Sequence, residues 1–114
     1  MSPEPFLLVR ARIAPERLAE FRRWHARVHV PHVLRIPGIT GAYRLEPGSG
    51  TTLQGPNHLA LFTFADEQAV QRALNSPEAE RARRDWETWA ADVRDLAIQI
   101  YATLDSRTLL RHLN

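Results

Sequence analysis

Two short runs constrain this chain more than anything else: His58–Ala65 (HLALFTFA) and Leu96–Leu104 (LAIQIYATL). Both are apolar at odd and at even positions. Side chains alternate across an extended strand, so such a run has two apolar faces and needs cover on both. Neither run approaches the ~20 residues of a membrane span. They therefore read as strands of a sheet buried on two sides.

The remaining segments supply the rest of a sheet and its helices. Phe6–Ile13 (FLLVRARI) alternates, with Leu7, Val9, Ala11 and Ile13 on one face and Phe6, Leu8, Arg10 and Arg12 on the other. Pro15 and Glu16 open a helix, with proline at its first position and a carboxylate near its positive end. It should run to about Val30, because the residue before Pro31 is pushed out of the helical region, and there the regular helix ends or kinks. Ile36-Pro37-Gly38 is a turn into a second strand, Ile39–Leu45. Pro47–Asn57 is a long loop rich in Gly, Pro, Ser and Thr. Asp66 caps a helix ending near Asn75, and Ser76-Pro77-Glu78 starts another expected to reach about Arg94. The last ten residues read as a short docking tail.

This order is β-α-β-β-(α-α)-β, the ferredoxin-like βαββαβ arrangement of an α+β domain with an antiparallel sheet. All 114 residues fit one domain, 1–114. Its helices cover one sheet face. The simplest cover for the other is the sheet of a second copy, in a twofold homodimer.

Composition removes several function classes. There is no cysteine, which excludes disulfides, thiolate catalysis and Cys-ligated zinc. The isoelectric point of about 9.9 is no sign of nucleic-acid binding. Every basic residue is arginine, and the arginines alternate with acids: Glu80 with Arg84, Arg81 with Asp85 and Arg83 with Glu87 stand at i,i+4. That pattern is a solvated helix face, not a phosphate-binding stripe. The opening residues lack the charged-then-apolar pattern of a secretory signal, so the cytoplasm is the expected location, with no membrane partner.

Chemistry is concentrated in WHARVHVPH, which holds His25, His29 and His32. At ~100° per residue, Leu18, Phe21, His25 and Val28 form the sheet-facing stripe, flanked by His29 and Trp24. His25 is either a core histidine bonded to a backbone carbonyl or a substrate contact. His29, in the turn before Pro31, is the acid–base candidate, at a cavity mouth and with a pKa near neutrality. His32 can face the pocket or solvent. His25 and His29 have the i,i+4 spacing of two ligands to one metal, but Ala26 stands where HExxH has its glutamate, and no metal is expected. Tyr43, just after a turn, is a second catalytic candidate. Phe21, Trp24 and Trp86 are candidate walls of a substrate site. Trp86 and Trp89 share a stripe with Ala82, Ala90 and Val93 that core packing also explains. Gln99 and Tyr101 are assigned structural roles. No GxSxG elbow is present, and Gly48-Ser49-Gly50 is too short for a phosphate loop.

The stretch FRRWHARVHVPHVLRIPGITGAYRL, residues 21–45, resembles the dimeric α+β barrel superfamily. It is most similar to the EthD-like branch, in which a helix ending in His-x-Pro precedes a Pro-Gly turn; here these are His29-Val30-Pro31 and Pro37-Gly38. The resemblance implies a homodimer joined through its sheets, with a ligand cleft between helices and sheet in each subunit. It also implies lactone isomerisation, polyketide cyclisation, dehydration, cofactor-free oxygenation or haem degradation. The Asn–Trp–His arrangement of the haem-degrading members does not align here. The expectation is a small-molecule enzyme without an organic cofactor, an isomerase, cyclase or lyase with His29 as the proton carrier. The alternatives are a cofactor-free monooxygenase and a non-catalytic metabolite-binding accessory protein.

Overall fold

The structure is a computed structural model that describes residues 4–50 and 55–104. Four strands, β1 (Phe6–Ile13), β2 (Ile39–Leu45), β3 (His58–Phe64) and β4 (Val93–Tyr101), form one sheet in the order β2-β3-β1-β4. Every pairing is antiparallel. The chain is an α+β domain of ferredoxin-like order, as the alternation in the sequence implies. Val9, Ala11, Ile13, Ala60, Phe62 and Phe64 project from one face into the core and are buried. The tail after Leu104 and the middle of the Pro47–Asn57 loop lie outside the described residues.

Of the two expected courses at Pro31, the first helical segment is interrupted and does not end. It runs as α1 (Leu18–Trp24), a π-helical turn (His25–His29) and α2 (Val30–Leu34). The Val30 N–H reaches back to the His25 carbonyl, and Pro31 then sits in the first turn of α2. Proline has no N–H and its ring collides with a carbonyl four residues back, so a regular helix cannot continue through it. The wider turn just upstream absorbs that conflict, and Val30 stays helical.

The wider turn also changes which side chains face the sheet. In a regular helix, four residues overshoot a full turn by about 40°, so a stripe starting at Phe21 would pass through Val28. The π turn rotates the chain less per residue. Val28 is accordingly 38% exposed, while Phe21, His25, His29 and Val33 are all buried in line. The Val28 stripe of the sequence reading is thus replaced by one centred on His29.

After β3, Asp66 caps α3 (Glu67–Leu74) by accepting from the Ala69 N–H at 2.8 Å, and Ser76 caps α4 (Pro77–Asp85) through the Ala79 N–H at 3.1 Å. The expected run of this last helix to Arg94 is too long. It tightens into a 3₁₀ turn, Trp86–Trp89, and Val93 already pairs with Ile13 in β4. A bulge at Asp95, whose φ is 55°, returns β4 to register. The Pro37-Gly38 turn is confirmed: Gly38 has φ 94°, and a Cβ there would stand 2.8 Å from that of Ala69. Asn57 extends the sheet with its side chain, accepting from the Ile13 N–H and donating to the Ile13 carbonyl, both at 2.8 Å.

The sheet face away from the helices has no cover among the described residues. Phe6 stacks on Tyr101 there, Arg10 and Tyr101 both donate to Gln99 Oε1, and Tyr43 lies opposite Leu61. No helix among the described residues is long and apolar enough to cross a membrane.

Candidate active site

Between helices and sheet lies a cavity of about 240 Å³. Val9, Phe62 and Ile98 line it from the strands, and His29, Val33, Ala82 and Trp86 from the helical layer. His29 and Arg83 are its only titratable linings among the described residues. An apolar pocket with a few convergent polar groups is the usual form of a small-molecule site.

His29 is not at an exposed mouth, as its position in the sequence suggested; it is 3% exposed. Trp24 stacks on its ring at 5.6 Å and Trp86 meets it edge-on at 5.2 Å. Its Nδ1 is 2.9 Å from Asp85 Oδ2, and His32 Nδ1 is 2.7 Å from the same oxygen. An ionised carboxylate only accepts, so both rings present an Nδ1–H to it. His29 is thereby fixed in one tautomer and one orientation, with Nε2 left as the atom able to take a proton. Burial lowers the His29 pKa from its ordinary value, and the hydrogen bond and charge of Asp85 act in the opposite direction without cancelling it. A neutral, oriented imidazole facing an apolar cavity is a general base at neutral pH.

A second pair of histidines lies behind it. His25 is 1% exposed and His58 is 5% exposed, with ring centroids 4.5 Å apart. Desolvation, reinforced by neighbouring positive charge, lowers His25 to about 2 and His58 to about 4. Both rings are neutral in the folded protein over the physiological range. His25 does not have the carbonyl partner that the core reading gave it; neither of its ring nitrogens has a hydrogen-bond partner among the described residues.

The remaining candidates divide. Trp86 lines the cavity, and Trp24 backs His29. His32 shares Asp85 with His29. Phe21 is wholly buried among His25, His58, Trp86 and Trp89, off the cavity wall. Tyr43 is 56% exposed on the opposite face of the sheet and is not brought to His29. No group of three or more His, Asp or Glu among the described residues is placed to hold a metal ion.

Two residues escaped the sequence reading. Asp85 was placed on a solvated face opposite Arg81, yet it stands three residues after Ala82 and four before Trp89, on the buried stripe. His58 heads the inward set His58, Ala60, Phe62, Phe64, all of which are buried. Both signals lay in the periodicity.

The EthD domain family model matches residues 15–93. The chain belongs to the EthD family. Solved structures agree on the fold. An ethyl tert-butyl ether D family protein from Bacillus halodurans has 17% identity and a TM-score of 0.72, covering 90% of this chain and 100% of its own. SnoaB, a cofactor-independent oxygenase from Streptomyces nogalater, has 18% identity and a TM-score of 0.64, covering 90% and 95%. A dimeric ferredoxin-like protein of unknown function from Jannaschia has 15% identity and a TM-score of 0.63, covering 89% and 100%. No curated protein sequence matches this EthD domain significantly.

The buried histidines of the domain make its stability pH-dependent. Unfolded histidines protonate near 6.5, while His58 and His25 resist protonation down to about 4 and 2. Between pH 6.5 and 4 the unfolded chain therefore binds more protons, and stability falls as pH drops. Each histidine contributes up to ~1.4 kcal/mol per pH unit there. Urea midpoints at pH 7, 6 and 5 should decrease steadily, less steeply in His58→Phe. A midpoint constant from pH 7 to 5 would contradict the buried neutral pair.

Proposed function

We propose that this EthD domain is a small-molecule enzyme in which His29 takes and returns a proton on an apolar or aromatic ligand held in the 240 Å³ cavity. The observation that carries this reading is the His29–Asp85 contact of 2.9 Å beside a wall that is apolar apart from Arg83. Asp85 orients the ring and stabilises the imidazolium that forms. Trp24 and Trp86 hold the ring plane, and His32 holds Asp85 from the other side. Burial of the His29 and Asp85 side chains, 4% and 9% exposed, strengthens their electrostatic contact.

Proton abstraction from an activated C–H or a phenolic O–H leaves a delocalised anion. Reprotonation elsewhere gives isomerisation, attack on an internal carbonyl gives cyclisation, and loss of a leaving group gives elimination. The likeness to SnoaB supports a second reading, in which that anion reacts with dioxygen without a cofactor. His29 serves the same first step in both.

Turnover can be sought with lactones, phenols and polyketide-like β-dicarbonyl compounds, products being read by mass and dioxygen by an electrode. His29→Gln should lower kcat by about 10²–10⁴ with the circular dichroism unchanged. In the unaltered protein kcat/KM should fall on the acid side with a midpoint below 6.5, because His29 is depressed and its base form is lost as pH falls through that value. An unimpaired His29→Gln enzyme would end the acid–base role. Uptake of dioxygen matching product formation would select the oxygenase reading.

The uncovered sheet face supports a twofold pair of subunits, in which Leu61 and Tyr43 meet their counterparts from a second copy. Leu61→Glu should convert a dimer to a monomer by light scattering, at an unchanged helix content. A dimer that survives Leu61→Glu, or a monomer to begin with, rules this interface out.

A further inference from the structure

A second cavity, of about 200 Å³, opens beside the buried histidine pair and is lined by Arg22, His25, Arg44, Leu45, Glu46 and His58. It shares no lining residue with the cavity at His29. Arg44 lies opposite Ala60 in the β2–β3 register, which puts it on the helix-covered side of the sheet, unlike Tyr43. Arg22 comes from α1 and meets Glu46 at 3.4 Å. At the base, His25 Nδ1, His25 Nε2 and His58 Nε2 are buried and have no hydrogen-bond partner among the described residues.

These features impose two demands on an occupant. Two guanidiniums against one carboxylate leave one net positive charge, because the histidines are neutral. The base is formed by two imidazoles whose unpaired ring nitrogens are closed to solvent, so the charge of an occupant must be met at the arginine rim. We propose that this cavity binds a small organic carboxylate, its oxygens facing Arg44 and its body lying over the His25–His58 pair. One carboxylate supplies one negative charge, and its two oxygens can accept the paired N–H donors of a guanidinium. Phosphate at neutral pH brings more charge than the cluster balances. The cavity exceeds the ~150 Å³ that holds a benzene-sized body, so a benzoate-sized anion is an appropriate probe.

The experiment is a titration of isotope-labelled protein with sodium benzoate at constant ionic strength, reading the ring signals of His25, His58 and His29. Sodium chloride and inorganic phosphate are the controls. Saturable shifts of His25 and His58 are expected, with a Kd raised about tenfold or more in Arg44→Gln, which deletes a charge-assisted contact. Arg44 is on the surface rim, so the variant should fold; its unshifted amide spectrum checks this. Non-saturating shifts, or shifts equal to those with chloride, overturn the proposal. So does a response confined to His29, which would put benzoate in the first cavity. Phosphate binding as tightly as benzoate overturns the carboxylate assignment. None of these outcomes bears on proton transfer by His29.

Discussion

One carboxylate oxygen organises the centre of this molecule. Asp85 Oδ2 receives His29 and His32 from the first helical segment, while Asp85 itself ends α4, so the contact ties the two halves of the helical layer together. A buried carboxylate is costly unless donors surround it, and two imidazole N–H groups supply them. The same contact determines which nitrogen of His29 is left for a ligand. Packing and chemistry therefore depend on one atom.

The backbone makes that contact possible through a local irregularity. Pro31 forbids a regular helix, and the π turn ahead of it moves His29 onto the line of Phe21, His25 and Val33. A regular helix would have put Val28 there and swung His29 aside. Wide turns of this kind recur at functional sites because they re-aim side chains without ending the helix. In this EthD domain the turn aims two histidines at two different cavities, His29 at the apolar one and His25 at the arginine-rimmed one.

The element order and the inward face of β1 were legible, because alternation at period 2 puts Leu7, Val9, Ala11 and Ile13 on one side without knowledge of the partners. The caps at Asp66 and Ser76 were legible for the same reason: each side chain satisfies its own helix. The site was read in part. His29 and Trp86 were found from the helical stripe, whereas Asp85 is joined to His29 only by tertiary packing across 56 residues of chain. An i,i+4 arginine at Arg81 offered it a nearer and misleading partner. Tyr43 is not brought to His29, and its place after a turn says nothing of which face it takes. That face is set by the β2–β3 register and the irregularity between Ile39 and Gly41.

The central claim is that burial keeps His29 neutral while Asp85 fixes its one proton on Nδ1, leaving Nε2 unprotonated. Nitrogen-detected NMR of the histidine rings at pH 7 reads this directly. The account predicts His29 in the Nδ1–H tautomer, reverting to a mixture of tautomers in Asp85→Ala. An Nε2–H tautomer or an imidazolium for His29 at that pH would contradict it.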